Sequence, residues 1–216
     1  SRLANTFVTT NYDDWLDQIP PETLRADDLA PSQSQSLVTS RNCFYKRDDI
    51  AVKNLGIANA VFHIHGSVRD QGSMVLSTVD YLNRYSSHRI DGKENPENEF
   101  LTFLEHLFKS WNVLFIGYGL DEMEVLEYIL QKSNQNPKNK EEPRHYVLQG
   151  FFTSDLELAR SLELYYYGFG VRLLPFSRDD RDWDQLITVI DYLAGEISPG
   201  PPLALSKRFE MEELLS

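Results

Sequence analysis

The chain has 216 residues, 41% of them hydrophobic and 25% charged, and a formal net charge of −12. This length is enough to bury one sizeable core, and the composition is typical of a soluble globular domain. The acidic balance argues against a broad nucleic-acid surface, because non-specific affinity comes largely from Lys and Arg neutralising phosphates. Since no run of 18 apolar residues and no signal-peptide layout occurs, we expect a cytoplasmic protein without a membrane span.

Cys43 is the only cysteine. A single cysteine excludes a disulfide within the chain and any four-cysteine zinc module built from it. This absence bears on the choice between two activities below.

Five short apolar, β-branched or aromatic runs bounded by turn residues predict strands. They are TFVTT (6–10), NAVFHIH (59–65), NVLFIGY (112–118), HYVLQG (145–150) and GVRLLPF (170–176). Continuous apolar strands separated by helical segments indicate an α/β, Rossmann-like fold, with a mostly parallel sheet and helices on both faces. The intervening residues 20–55 have weak periodicity and are predicted to form an insertion over the sheet edge, partly helical.

Apolar residues spaced three and four apart predict helices at 96–111, 121–133, 155–168 and 179–195. Gly168 and Gly195 are expected to end the last two helices as left-handed C-caps. We therefore expect one domain in residues 1–197. A Pro-rich spacer and a short helical tail, residues 198–216, follow it.

Three polar segments follow predicted strands, at the edge where open parallel sheets bind ligands. They are TTNYDD after the first strand, HGS after the second and GYGLDE after the third. The first segment contains Thr10, Asn11 and Asp13, and two interpretations of these short polar side chains stay open. They cap a helix start, or an amide and a carboxylate face the sugar of a ligand.

His63 and His65 stand two residues apart in the second predicted strand, which places both side chains on one face. A metal site would need further ligands, and no nearby residues have suitable spacing. His65 precedes Gly66, which lets the backbone approach a ligand closely, so His65 is the candidate general base. His63 lies deeper in the strand and is expected to be structural or to support the site.

Gly117, Tyr118 and Gly119 end the third predicted strand. The glycines free the backbone there, and the helix that starts near Asp121 would receive a phosphate or diphosphate at its N-terminus. The same residues also fit a tight turn with Asp121 as helix cap, since GYGLDE is not the GxGxxG fingerprint.

In this order the three segments resemble the sirtuin-like family. Its sirtuin members carry TQNxD, a strand ending in His-Gly and a strand ending in GTSL, which TTNYD, HIHG and GYGL match here. A closer similarity, to the sirtuin-like domains of bacterial anti-phage defence systems, lies in FVTTNYDDWL, VFHIHGSV and VLFIGYGLDEMEVLEYI. The resemblance covers roughly residues 6 to 195.

The resemblance implies NAD as substrate, no metal, and roles for single residues. Asn11 would contact the nicotinamide ribose or the attacking water, Asp13 would hold that region in place, and His65 would be the general base. Thr10 stands where the family has Gln, and Gly119 stands where it has Ser. The implied contacts with the rest of NAD are made by Thr10, Asp13, Gly117, Tyr118, Gly119 and Asp121.

Family members begin with a strand and a Gly-rich GAGxS-type loop that holds the diphosphate. Nothing before Thr6 matches that loop. We therefore expect the domain in residues 1–197 to be N-terminally incomplete, lacking its first strand and Gly-rich loop, and the activity to belong to the parent protein.

The implied chemistry is cleavage of the bond between nicotinamide and ribose. Attack by water makes the protein an NADase that releases ADP-ribose, whereas attack by an acyl-lysine carbonyl makes it an NAD-dependent protein deacylase. Family deacylases usually carry a four-cysteine zinc module, so the single Cys43 favours water. The implied function is the effector of an anti-phage (abortive infection) defence system, and a non-catalytic nucleotide-sensing or oligomerisation module is the further alternative.

The terminal segment SKRFEMEELLS resembles a short helix with apolar positions at Phe209 and Leu214. Exposed apolar positions of this kind favour association. We therefore expect a homo-oligomer or a partner protein or domain, with no direct nucleic-acid binding and no membrane contact.

Overall fold

The computed structural model describes residues 3–19, 39–77, 79–81, 98–117 and 143–196. Within them, three α-helices have both ends defined: α1 (Glu99–Ser110), α2 (Leu156–Tyr167) and α3 (Gln185–Glu196). None of the helices in this part of the chain is long and apolar enough to cross a membrane. The same residues form eight strands: β1 (Thr6–Thr9), β2 (Gln18–Ile19), β3 (Thr39–Ser40), β4 (Asn42–Phe44), β5 (Ala60–His63), β6 (Leu114–Ile116), β7 (His145–Phe151) and β8 (Val171–Ser177).

Six of the strands form two parallel sheets of three strands each, in the orders β1-β5-β4 and β6-β7-β8. A short antiparallel ribbon pairs β2 with β3. All five predicted strands occur, with ends shifted by a residue or two. Parallel strands combined with helices confirm the predicted α/β, Rossmann-like class.

The prediction for residues 20–55 was wrong in part. Among the described residues of this segment, β4 joins the first sheet as an edge strand, with Asn42 opposite Ala60. Helical structure there is limited to two 3₁₀ turns, Arg47–Asp49 and Val52–Asn54. The strand β4 lies in RNCFYKR, where charged residues flank it on both sides and no continuous apolar run marks it in the sequence.

Most of the apolar positions predicted for the first helix form the buried face of α1: Phe100, Phe103, Leu104, Leu107 and Phe108. Trp111, which belongs to the same predicted pattern, follows the helix and is 42% exposed, so the pattern was too long by one position. The helix begins after Asn98, whose side-chain oxygen accepts hydrogen bonds from the N–H groups of Phe100 and Leu101. The helices predicted at 155–168 and 179–195 correspond to α2 and α3. The predicted helix 121–133 and the tail 198–216 lie outside the described residues.

The two predicted C-caps were wrong. Gly168 has a φ of −57°, within the right-handed helical region, and its N–H still donates to the carbonyl of Leu164. The chain turns two residues later, where Gly170 takes the left-handed conformation with φ of 82°. Gly195 lies inside α3.

The core connects both sheets through α1. Phe62 of β5 stacks on Phe44 with ring centroids 4.9 Å apart and packs against Phe103 of α1 at 5.0 Å. One turn further along α1, Phe108 packs against Phe115 of β6 at 6.0 Å. Because α1 contacts a strand of each sheet, it fixes the two sheets around one core.

His145 makes the fold sensitive to acid. Its side chain is buried at the start of β7, and its Nδ1 accepts the N–H of Val113 at 3.3 Å, so the ring is neutral there. Burial, followed by the charge of Arg144, lowers the pKa of His145 to about 4.

We expect the free energy of unfolding to fall by roughly 2 kcal/mol as the pH drops from 6.5 to 4, because the unfolded state then binds the proton more readily. Chemical denaturation at several pH values measures this. His145→Asn retains an acceptor near Nδ1 and cannot titrate, so its loss over this range should be smaller than that of the wild type. If the wild type and His145→Asn lose the same free energy of unfolding between pH 6.5 and 4, His145 is not the group that causes the loss.

Candidate active site

The loops that follow β1 and β5 leave the same edge of the first sheet as neighbours. The parallel register places Thr9 opposite His63. One step further, the N–H of Ile64 donates to the carbonyl of Thr9 at 3.0 Å. This carboxyl edge is where open α/β sheets bind ligands. It brings together four of the predicted site residues: Thr10, Asn11, Asp13 and His65.

Asn11 has a fixed main chain and an exposed side chain. Its N–H donates to the hydroxyl oxygen of Thr9 at 3.0 Å, and its carbonyl oxygen lies 3.3 Å from Nδ1 of His63. The side chain itself is exposed at the carboxyl edge. The main chain of Asn11 is therefore fixed, while its side-chain amide is accessible to a ligand.

Asp13 contacts its own loop. Its Oδ1 accepts the N–H of Trp15 at 3.2 Å, at the start of the 3₁₀ turn Trp15–Asp17. The contact fits the capping interpretation and stabilises the loop that carries Asn11. Contacts of Asp13 and Thr10 with NAD stay predictions.

His65 is only 8% exposed, and the residues after it, 66–77 and 79–81, form the covering segment that contacts it. The ring packs edge-on against Tyr81, with centroids 6.0 Å apart. The carbonyl of His65 accepts the N–H of Val75 at 2.8 Å, and the Tyr12 hydroxyl donates to the carbonyl of Val75. Tyr12, from the neighbouring loop, therefore ties this covering segment over the candidate base.

Gly66 makes the fold of the covering segment possible. Its φ is 89°, and a Cβ there would overlap the carbonyl group of Ser73. The same close approach is reinforced by the N–H of Ser67, which donates to the hydroxyl oxygen of Ser73 at 3.1 Å. Only glycine combines this backbone conformation with so close a contact.

The strand predicted through residue 65 was too long. β5 ends at His63, and the chain turns there, with the N–H of Gly66 donating to the carbonyl of His63 at 3.0 Å. The two-residue alternation of a strand therefore does not extend to His65. The two histidine rings have different neighbours, since His63 contacts Asp17 and His65 contacts Tyr81.

Asp17 is a buried charged residue that the sequence did not single out. Its side chain is fully buried, and its Oδ1 lies 2.7 Å from Nε2 of His63. Burial, together with the negative charge of Asp17, raises the pKa of the neighbouring Cys43 thiol to about 11. That thiol is therefore protonated and unreactive at neutral pH. The sequence offered one sign of this burial, since Asp17 directly follows the apolar residues Trp15 and Leu16. An acidic residue in that position is also common on protein surfaces.

Gly117 follows β6, at the carboxyl end of a strand in the second sheet. Its φ is 66°, and among the described residues nothing lies within 4 Å of the position that a Cβ would occupy. The backbone is therefore open to close approach by a ligand. The other predicted residues of this segment, Tyr118, Gly119 and Asp121, lie outside the described residues.

A cavity of about 420 Å³ adjoins the segment that covers His65. Its walls include Ser73 and Val75 from that segment and Lys46 and Arg47 from the turn after β4. In the described part of the chain, no group of three or more His, Cys, Asp or Glu side chains could hold a metal ion. The absence of a metal in the reaction stays a prediction.

Parallel sheets combined with helices define a Rossmann-like α/β protein, and the loop after β5 carries His65 at the carboxyl edge of one sheet. Comparison with models of protein families finds the SIR2-like domain, whose model matches residues 5–169, and the chain belongs to this family. No curated protein matched the sequence. The family assignment confirms the sirtuin-like resemblance in general, and because SIR2-like domains use NAD, it supports chemistry that depends on NAD.

Proposed function

We propose that the protein hydrolyses NAD to nicotinamide and ADP-ribose, with His65 as the general base. One observation carries this proposal: within a SIR2-like domain, the adjacent loops after β1 and β5 hold Asn11 and His65 at one carboxyl edge. With an exposed amide on one loop and a nearly buried imidazole on the adjacent loop, the amide can orient a water molecule and the imidazole can accept its proton.

In this reaction the oxygen of water attacks C1′ of the nicotinamide ribose. The bond between C1′ and the ring nitrogen breaks, and its electron pair stays on that nitrogen, so nicotinamide leaves as a neutral ring. His65 accepts the proton of the water, and the Asn11 amide orients the water or the ribose. The covering segment limits the access of bulk water to the reacting carbon.

The rest of NAD is held by Thr10 and Asp13 near the sugar and by the segment after β6. The open backbone at Gly117 fits a close approach by the nucleotide. Tyr118, Gly119 and Asp121 follow it in the sequence and complete this proposed contact.

Water is favoured over an acyl-lysine as the nucleophile because the sequence has one cysteine. The four-cysteine zinc module of the family's deacylases cannot be built from Cys43 alone. In the cell, the protein acts as the effector of an anti-phage defence system, controlled by a homo-oligomeric state or a partner domain. The similarity of the three motifs to defence-type domains supports this role.

The test is NAD turnover by the full-length protein, followed by chromatography of the products. We expect equal amounts of nicotinamide and ADP-ribose without any acyl-peptide, and strongly reduced amounts for Asn11→Ala. Asn112→Ala, at the exposed amino end of β6, is the matched control and should retain full turnover.

Two results would contradict the proposal that the protein hydrolyses NAD. Nicotinamide release that requires an acyl-lysine peptide would identify a deacylase. Folded protein that cleaves no NAD, with or without the peptide, would leave a nucleotide-sensing or oligomerisation module.

A further inference from the structure

A network of charged side chains lies directly beneath the candidate site. It consists of Asp17, His63 and Arg69, and is called the Asp17 network below. Asp17 and His63 are both fully buried and lie 2.7 Å apart, Oδ1 to Nε2. The Nε of Arg69 lies 3.2 Å from the other carboxylate oxygen of Asp17, within ion-pair range. Arg69 is 40% exposed, so the network reaches from the core to the surface.

The three members come from the three pieces of chain that build the site. His63 is the last residue of β5, Asp17 ends the turn after the Asn11 loop, and Arg69 belongs to the segment after His65. Arg69 also pairs with Asp14 of the Asn11 loop, with Nη2 and Oδ2 3.2 Å apart. The network therefore crosslinks both loops to the end of β5.

Hydrogen bonds from Arg41 hold the main chain around Asp17. Its carbonyl accepts the N–H of Arg41 at 2.8 Å, and the Arg41 guanidinium donates to the carbonyls of Leu16 and Gln18 on either side. A buried carboxylate is costly unless oppositely charged or donating groups surround it in good geometry. The buried Oδ2 of Asp17 has no hydrogen-bond partner among the described residues, so Arg69 contacts it as an ion pair alone. Arg41 and Cys43 are further titratable side chains that interact with Asp17.

His63 connects the Asp17 side chain to the main chain of Asn11. Its Nε2 faces Asp17, and its Nδ1 faces the carbonyl oxygen of Asn11 at 3.3 Å. Both ring nitrogens are thus engaged with oxygens of the protein, and the ring is fully buried. His63 therefore has no access to a substrate and acts on the site only through Asn11.

We propose that the Asp17 network sets the position of Asn11 relative to His65, which makes His63 and Arg69 positioning residues for NAD cleavage. Its kinetic consequence rests on the proposed function. Displacing a correctly placed group by about 1 Å costs on the order of 100-fold in rate. The loss falls on kcat, because the misplaced Asn11 and His65 no longer match the transition state.

Arg69→Gln is the first test, because the partial exposure of Arg69 lets the protein fold without it. We expect kcat to fall about 10-fold or more, with KM within about 2-fold, in a variant that thermal unfolding shows to be folded. Its melting temperature should be lower than that of the wild type, because the buried Asp17 loses a cationic partner. Arg172→Gln removes an exposed arginine of β8, in the other sheet, and should leave kcat and KM as in the wild type. An unchanged kcat in Arg69→Gln would overturn the proposal.

His63→Asn and His63→Leu form a second, matched pair. The asparagine amide lies near the position of Nδ1 and retains a donor for the Asn11 carbonyl, whereas leucine has none. We expect the asparagine variant to keep several-fold more activity than the leucine variant when both are folded. Equal activities would contradict a role that acts through Asn11.

Hydrogen exchange separates this inference from the proposed function, since it requires no turnover. Amides of residues 10–15 should exchange faster in Arg69→Gln and His63→Leu than in the wild type, while those of β7 should not change. If the wild type cleaves no NAD but these rates rise, the proposed reaction fails and the positioning of the loop stands. Unchanged exchange at residues 10–15 would overturn the positioning role.

Discussion

Replacement of His65 by alanine is expected to lower the rate of NAD cleavage by about 10²- to 10⁴-fold, the usual contribution of a general base. The loss follows because no other side chain is assigned to accept the proton of the attacking water. The measurement is a comparison of kcat/KM for nicotinamide release by purified wild type and variant, across a range of pH. The acidic limb of the pH profile should disappear together with the imidazole.

Two controls make this result specific. His106→Ala removes an exposed histidine from α1 and should leave the rate unchanged. His65 is nearly buried, so thermal unfolding must show that the alanine variant is folded. A folded His65→Ala protein that turns over NAD as fast as the wild type would exclude His65 as the base.

Replacement of Gly66 by alanine is expected to destabilise the protein by about 2 to 5 kcal/mol. Two effects add. The φ of 89° is unfavourable for any residue with a Cβ, and the new methyl group would overlap the main chain of Ser73. Relief requires the covering segment to move away from His65, so activity should fall with stability. Denaturant unfolding measures the loss.

Gly56→Ala is the matched control. In the described part of the chain, nothing lies within 4 Å of the position that its Cβ would occupy, and its backbone is outside the left-handed region. Its stability should stay within about 0.5 kcal/mol of the wild type. If Gly66→Ala is as stable as Gly56→Ala, the close approach between Gly66 and Ser73 is not a feature of the folded protein.

Much of the fold could be predicted from the sequence, because buried parallel strands and an amphipathic helix have strong periodic signals. Phe100, Phe103, Leu104, Leu107 and Phe108 mark the buried face of α1 in both sequence and structure. The edge strand β4 could not be predicted, because it lies in the segment RNCFYKR, where flanking charged residues leave no continuous apolar run. Gly168 was misassigned because the hydrogen bonds of a helix end, and not the glycine alone, decide where the chain turns.

The candidate site was predicted only in part. The order of the three loops indicated Asn11 and His65, and the parallel register of β1 and β5 places them at one edge. The role of Asp17 was missed because its burial depends on His63 and Arg69, which are distant in sequence. A sequence shows the charge of such a residue but not the partners that surround it.

The pairing of β1 with β5 also determines the order in which the molecule can assemble. Thr6 lies opposite Ala60, and parallel strands cannot be joined by a tight turn. The entropy of closing that long stretch of chain is lost before any ladder bond forms, which makes such pairing slow. During synthesis, the ribosome must therefore release β5 before the loops that carry Asn11 and His65 can become neighbours, so a shorter nascent chain cannot form the candidate site.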